Sequence, residues 1–298
     1  MFKTSVCSYP NRGQYGQSSY RGNCTGRIIK DFIETYMKRK DGLVADPSIG
    51  GGTSVDVAKE MGLRFKGTDL HQGFNLLRDD FRGFLDEDAH LVWWHPPYWN
   101  MIEYSGNQWG QTGQADKWDM SRMDLPDFVE ALELAIMNIH DACERNGTYG
   151  ILMGNLRRKG DYYNLSSLVE RVAPGKLVDE VIKTQHNCVS DSKTYNGSLV
   201  RIAHEKLLVF RKNRVDSSVF FLALAHQRAV SMVRTTWKAT VRRILQGKDV
   251  MPLGEIYSAV EPYAKSRGNE HWQAKVRQVL QDERFFTRVE TGVYALAA

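Results

Sequence analysis

Between Thr25 and Lys40 the apolar residues Ile28, Ile29, Phe32, Ile33, Tyr36 and Met37 recur at helical spacing and predict an amphipathic helix. Asp41-Gly42 is expected to end it, because glycine readily takes the left-handed backbone that helix C-termini need. The period then changes. LVADPSIGGGTSVDVAKEMGLRFKGTDL reads as a strand at Leu43–Ala45, a glycine loop, a helix at Thr53–Met61 and a strand at Arg64–Thr68. That β-α-β unit implies a parallel sheet. A short apolar strand, His90 to Trp94, runs into HPPYW, and the polar stretch from Asn100 to Met123 reads as a mobile loop. A long helix near Pro126–Arg145 carries Phe128, Leu132, Ala135, Ile136 and Ile139 on one face. It leads to a strand at Thr148–Gly154, a basic loop NLRRKGDYY and a helix near Ser166–Val172. Strands at Lys176–Thr184 and Lys206–Phe210 flank a polar excursion through Cys188 and Tyr195. The first two dozen residues read as loop.

After about Val215 the pattern shifts again. VFFLALAHQRAV predicts an apolar linking helix, and three further helices are expected near Thr236–Gln246, from Pro252, and near Asn269–Gln281. Leu253, Ile256, Tyr257 and Val260 share one face of the second; Trp272, Val276, Val279 and Leu280 share one face of the third. FFTRVETGVYAL then reads as a hairpin turning at Thr291-Gly292. Three helices and a hairpin predict a winged helix-turn-helix, with Lys275 and Arg277 on its recognition helix. A winged module used for protein contacts would show the same pattern. The expected organisation is an α/β domain over 1–215, a linking helix over 216–232 and a winged helix over 233–298.

Composition adds limits. The chain has 298 residues, 42% hydrophobic and 25% charged, which suits a globular protein with a sizeable core. No run of eighteen apolar residues occurs, and MFKTSVCSYPNRG lacks the apolar stretch of a signal peptide, so neither a membrane span nor secretion is expected. Four scattered cysteines without a CxxC pair argue against a zinc site or a disulfide framework and favour a reducing cytoplasm. Residues 231–298 hold 11 Lys/Arg against 7 Asp/Glu, whereas the rest holds 29 against 28. Most of the excess positive charge therefore sits in the tail, as a module meeting phosphates would have it. A solvated basic surface reads the same way on charge alone.

The chemistry concentrates at two places. Asp46-Pro47-Ser48-Ile49-Gly50-Gly51-Gly52-Thr53 lies between a strand and a helix, where such sheets bind cofactors. It lacks the spacing of a dinucleotide fingerprint and the lysine of a Walker loop. An acid at the strand's end suits a cationic or hydroxyl-bearing ligand, and Asp69, ending the next strand, is placed to accept from ribose hydroxyls. The pair points to an adenosine-containing ligand. At His95-Pro96-Pro97-Tyr98-Trp99 two prolines remove two N–H donors and fix φ, making a rigid turn. Such a turn can aim the residue-95 side chain and the Pro96 carbonyl at one point, while Tyr98 offers a face for stacking. An exocyclic amine needs this, because its lone pair is delocalised until two acceptors pull the nitrogen toward sp³. A base inside a duplex is out of reach, so flipping follows.

DPSIGGGT, TDL and HPPYW resemble motifs I, II and IV of the DNA amino-methyltransferases, SYRGNCTGRIIKDFI resembles their motif X, and HEKLLVFRK their motif VIII. The resemblance covers about residues 15–213, and SVCSYPNRG with HPPYWNMI-YSG is similar to prophage-borne adenine methyltransferases of low sequence specificity. It implies a Rossmann-like class I methyltransferase with a mostly parallel seven-stranded sheet, S-adenosylmethionine as cofactor and DNA as partner, with no metal. By the same resemblance, Asp46, Pro47, Gly50 and Thr53 would line the cofactor loop, and Asp69 and Leu70 would hold the ribose. Arg21, Gly22 and Asn23 would lie near the carboxylate, and Asp79, with Asp80 as rival, would accept from the adenine amino group. His95, Pro96, Pro97 and Tyr98 would form the target pocket. His95 departs from the family, which usually has Asp, Asn or Ser there. A neutral imidazole can accept one hydrogen bond from the amine; a protonated one only donates and repels the sulfonium. Activity is therefore expected to weaken below about pH 6, near the reference histidine value.

Candidate DNA contacts are Arg157, Arg158 and Lys159, which equally suit an exposed charged turn. Trp109 with Gln108 and Gln111 could fill the gap left by a flipped base, or Trp109 could rest on the core. Gln185–Arg201 is too short for a large target-recognition domain, so recognition should rest mostly on phosphates, with broad sequence tolerance. The motif leaves adenine N6 and cytosine N4 both open; the resemblance favours adenine. Methylation of RNA or of a protein glutamine would use a similar turn, and a DNA-binding regulator with an inactive methyltransferase fold is a reading from another class.

Overall fold

The computed structural model describes residues 1–106, 108–109, 113, 115–186, 199–213, 237–267 and 270–297, with backbone only at 264–267. The linking helix expected at 216–232, Gln111, and most of the Gln185–Arg201 excursion lie outside the described residues. The chain forms two compact units, 1–122 with 131–220, and 123–130 with 221–298.

The first unit is built on a seven-stranded sheet. Its strands are β1 (Val6–Ser8), β2 (Val44–Asp46), β3 (Phe65–Gly67), β4 (Ala89–Trp94), β5 (Cys143–Gly154), β8 (Lys176–Thr184) and β9 (His204–Arg211), in the order β1-β8-β9-β5-β4-β2-β3. All neighbours run parallel except β9, which is antiparallel to both β5 and β8. The sheet is thus mostly parallel and Rossmann-like. Its seventh strand, β1, comes from the segment expected to be loop: three residues pair Val6–Ser8 with Ile182–Thr184. So short a strand at an edge leaves no alternation to read in the sequence.

Helices cover both faces. On one, α1 (Gly26–Tyr36) buries Ile28, Ile29, Phe32 and Ile33 with Val57 of α2 (Thr53–Glu60) against Leu91, Trp93, Leu152, Leu207 and Val209 of the sheet. Burial of this apolar stripe, at about 25 cal/mol per Å² removed from water, is what fixes α1 on the sheet. Thr25 caps α1 by accepting the Arg27 N–H. The helix ends at Tyr36, before the expected Asp41-Gly42 stop. Gly42 is instead required by packing, since a Cβ there would lie 2.6 Å from the His90 Cβ. The other face carries α4 (Leu125–Ala142), where His140 meets Tyr149 edge-on, and α5 (Leu165–Val172). α3 (Phe81–Leu85) is a single short helix capped by Asp80.

The expected basic loop is a hairpin, β6 (Leu156–Arg158) and β7 (Asp161–Tyr163), turning at Lys159-Gly160, both with positive φ. Both strands are too short to show a period, and the run of charge masks the turn. In the second unit α6 (Trp237–Leu245), β10 (Met251–Pro252), α7 (Leu253–Arg267), α8 (Trp272–Val279), β11 (Phe286–Glu290) and β12 (Val293–Leu296) follow in order, with a β10-β12-β11 antiparallel sheet. Val241, Leu245, Ile256, Val260, Val276, Leu280, Phe285 and Phe286 form its own core. Lys238 pairs with Asp127 at 3.4 Å and Asp282 at 3.0 Å and stands over the Phe285 ring.

Candidate functional site

The chain leaves β2 toward β3 on one side and returns as β4 on the other, so the sheet order reverses between β2 and β4. Parallel sheets leave a crevice beyond the strand ends at such a switch point. A recess of about 980 Å³, counting its open mouth, lies there. Its wall includes Gly22, Asn23, Asp46, Pro47, Gly50, Thr53, Asp69 and Leu70 together with His95 and Pro97. The strands therefore bring the glycine loop and the proline corner into one cavity. Arg21, Asp79, Pro96 and Tyr98 are not on that wall. Arg21 offers its carbonyl to the Gln108 amide at 3.3 Å. Asp79 is turned inward, accepting the Asn75 N–H at 2.6 Å, and its rival Asp80 caps α3.

The acids of the glycine loop are engaged by the loop itself. Asp46 accepts from the Ser48 N–H at 2.8 Å and the Ser54 hydroxyl at 2.5 Å. Its carboxyl is pushed up to about 7, mainly by burial, with Ser54 and Ser48 opposing. Such a group holds the turn's shape rather than serving a cationic ligand. Asp69 accepts the Gly50 N–H at 2.8 Å through one oxygen and meets His71 Nδ1 at 2.7 Å through the other. This tie joins the end of β3 to the loop. Asp69 Oδ1 also accepts the His71 N–H at 3.2 Å, so the second lone pair of Oδ2 is the one left for a hydroxyl.

The N-terminal segment lies over the loop. Gln17 donates its N–H to the Gly51 carbonyl at 2.8 Å, and the Asn23 amide donates to the Gln17 carbonyl at 2.7 Å. Only glycine fits at 51: a Cβ would stand 2.5 Å from Asn23 Nδ2 and 2.7 Å from the Tyr20 Cβ. Tyr20, Phe74, Asn75, Tyr104 and Asp119 also line the recess, which no pattern in the sequence signals. Three buried polar atoms on this wall have no hydrogen-bond partner among the described residues: Thr53 Oγ1, Asn75 Nδ2 and Asp119 Oδ2. An unsatisfied buried donor or acceptor costs about 1–3 kcal/mol, so such atoms ask for a polar ligand.

The polar stretch expected to be a mobile loop forms part of the wall instead. Trp109, Trp118 and Met120 are buried there, and Trp109 donates its indole N–H to the Tyr104 carbonyl at 3.2 Å. Gln108 is likewise buried. The few aromatics that anchor the segment are diluted by the Gly and Gln between them, which hides the packing from a pattern reading.

At the proline corner the Tyr98 ring lies on Gly154, where a Cβ would come within 2.5 Å of it. Its hydroxyl donates to Glu205 Oε1 at 2.9 Å and lies 2.8 Å from His95 Nε2. The expected open stacking face is thus partly spent on the protein's own backbone. Glu205 opposes Gly154 and Lys183 in register, and the Lys183 ammonium donates to Glu205 Oε2 at 2.6 Å. Burial pushes the Glu205 carboxyl up, but Lys183, His95 and Tyr98 together hold it below the ordinary value. Burial lowers His95 to about 4, with Glu205 opposing and Lys183 adding to the drop. The ring is neutral at pH 7.

Elsewhere, Arg157 stacks over Tyr162 and donates to the Gly160 carbonyl, while Arg158 and Lys159 are exposed on the hairpin. None of the three lines the recess. Lys275 and Arg277 are exposed on α8, donating to Gln278 and Tyr257 respectively. Among the described residues no group of His, Cys, Asp and Glu is arranged to hold a metal ion, and no helix is long and apolar enough to cross a membrane.

No protein-family model and no curated protein matches the chain. Among solved structures it is similar to TrmN from Thermus thermophilus, at 12% identity and a TM-score of 0.36 over 64% of this chain and 50% of that one. A second is TTHA0409, also of Thermus thermophilus, named as a candidate DNA modification methylase and complexed with S-adenosyl-L-methionine. It is 20% identical over 45% of this chain and 53% of that one, with a TM-score of 0.31. An rRNA methylase from Streptococcus thermophilus is 12% identical over 63% of this chain and 96% of that one, with a TM-score of 0.37. The chain thus spans about half the length of the first two. These likenesses are distant, and the functional reading rests on the site itself.

Proposed function

We propose that the protein transfers a methyl group from S-adenosylmethionine to N6 of adenine in DNA, acting on a flipped base with little sequence selectivity. One observation carries the reading: a single recess runs from the glycine loop and Asp69 to the neutral imidazole of His95. The wall suits an adenosylated amino acid. Asp69 can accept from a ribose hydroxyl, Asn75 Nδ2 and Asp119 Oδ2 (3.7 Å from Arg122 Nε) offer a donor and an acceptor for a polar edge, and Gly22 and Asn23 also line the recess. Bound there, the cofactor supplies an electrophilic sulfonium methyl.

The chain's own residues prepare the nucleophile. His95, on the wall of the recess, accepts one hydrogen of the target amine, which helps to localise the nitrogen lone pair. The nitrogen so held would take the methyl, and the donor would leave with the electron pair of the broken bond. The surplus amine proton moves to His95 and, because burial disfavours the imidazolium, on to solvent. Orientation in the cleft replaces a strong base.

The helix–strand–helix–helix–hairpin order of the second unit supports a winged helix, with α8 as the element presented to DNA and Lys275 and Arg277 meeting phosphates. The Arg157–Lys159 hairpin would add backbone contacts. Incubation with DNA and labelled cofactor, followed by nucleoside mass spectrometry, tests the reading. N6-methyladenine at many sequence contexts is the expected product. N4-methylcytosine would move the target to the other amine. Methylated RNA alone would overturn the DNA assignment, and no transfer with tight binding to one operator would favour a regulator.

A further inference from the structure

We propose that Glu205 and Tyr98 are positioning residues that fix His95 as the Nε2–H tautomer, leaving Nδ1 as the atom that accepts from the substrate amine; this rests on the methyltransfer reading. A tyrosine hydroxyl has one hydrogen to donate, and a carboxylate has none. Tyr98 therefore gives its hydrogen to Glu205 Oε1 at 2.9 Å, and its oxygen is left only as an acceptor. His95 Nε2, 2.8 Å away, must then be the protonated ring nitrogen. In a neutral imidazole that makes Nδ1 the unprotonated one, and among the described residues it has no hydrogen-bond partner. His95 lines the recess, so this lone pair belongs to the cavity.

The carboxylate that starts the chain is itself held ionised. Lys183 donates to Glu205 Oε2 at 2.6 Å, and both residues are buried between β8 and β9. The charged and titratable groups facing the His95–Tyr98 pair are Glu205, Lys183, the buried Cys24 thiol and the Tyr104 hydroxyl. A buried ion pair is weak as a stability device, since desolvation offsets much of its attraction. Its geometry here has a directional consequence instead: it sets which way one proton points, two residues further along. A histidine in place of an obligate acceptor such as Asp or Asn has two tautomers, of which only one can accept at Nδ1. The relay removes that ambiguity.

The test uses the full-length protein labelled with 15N-histidine, the His95 ring nitrogens being assigned by their loss in His95→Asn. Wild type is expected to show Nδ1 unprotonated and Nε2 protonated at pH 7; a protonated Nδ1 overturns the relay even if DNA is methylated. The second arm is kinetic. In Lys183→Met/Glu205→Leu both charges leave together, and among the described residues His95 Nε2 is then the remaining hydrogen-bond partner of the Tyr98 hydroxyl, so the ring should flip to Nδ1–H. Methyl transfer should fall by about tenfold or more in kcat, with S-adenosylmethionine binding retained as the check on folding. Adding Tyr98→Phe removes the competing donor and should restore several-fold of the lost rate together with the Nε2–H spectrum. A triple variant no faster than the double overturns the relay, because a packing role gives no reason for rescue. Wild type with the expected tautomer but no transfer to DNA would instead sink the methyltransfer reading and leave the proton arrangement standing.

Discussion

Lowering the pH discriminates most directly between an exposed and a buried His95. Moving an imidazole from the ordinary 6.5 to about 4 corresponds to about 3 kcal/mol in favour of the neutral ring. At pH 5 a ring titrating near 4 is about 90% neutral, whereas one titrating near 6.5 is about 3% neutral. The two cases differ by roughly thirtyfold in the competent form. Single-turnover methyl transfer should therefore hold nearly level from pH 8 down to 5 and fall with a midpoint near 4, which corrects the pH 6 expected from the reference value. The same shift acts on stability. The unfolded chain binds the proton below about 6.5 and the folded chain does not, so stability is undiminished above 6.5 and lost progressively as the pH falls toward 4. Below 4 the loss from this group is complete, at about 3 kcal/mol. The assay pairs rapid-quench transfer with urea unfolding at pH 5 and 7, using His95→Asn as the reference that lacks the titration. An acid limb centred near 6.5 in wild type and absent from His95→Asn would refute the argument from burial.

Three other perturbations follow from close approaches and exposed charge. Gly154→Ala places a methyl 2.5 Å from the Tyr98 ring, and should cost about 1–3 kcal/mol in urea unfolding while slowing transfer more than it weakens cofactor binding. Gly51→Ala should lift the Tyr20–Asn23 segment off the glycine loop, since its Cβ would stand 2.5 Å from Asn23 Nδ2; calorimetry should find cofactor affinity reduced by tenfold or more, and an unchanged affinity would count against that segment as part of the site. Lys275→Gln/Arg277→Gln removes two exposed cations from α8. If both meet phosphates, the slope of log K against log salt should become shallower by about 0.9 for each phosphate no longer neutralised, with the methylated contexts unchanged.

Helical and strand periodicity were legible wherever an element was long and one face was buried. α1, α2, α4 and β4 lie within a few residues of the helices expected at Thr25–Lys40, Thr53–Met61 and Pro126–Arg145 and the strand expected at His90–Trp94. The glycine loop and the proline corner were legible for a different reason, since backbone chemistry marks them locally. Short pieces were not: β1 and the β6–β7 hairpin have three residues per strand, too few for a period to show.

What the chain alone determined, then, is the order of its longer elements and the residues at the ends of β2, β3 and β4, because these follow from local propensity and from which face must leave water. Only the tertiary structure decided what the polar groups face. Asp46 turns to Ser54, Asp69 to Gly50, Asp79 to Asn75, and Tyr98 reaches Glu205 across 107 positions of sequence. Hydrogen bonds between distant segments leave no periodic trace, since each needs only one donor, one acceptor and the sheet register that brings them within about 3 Å.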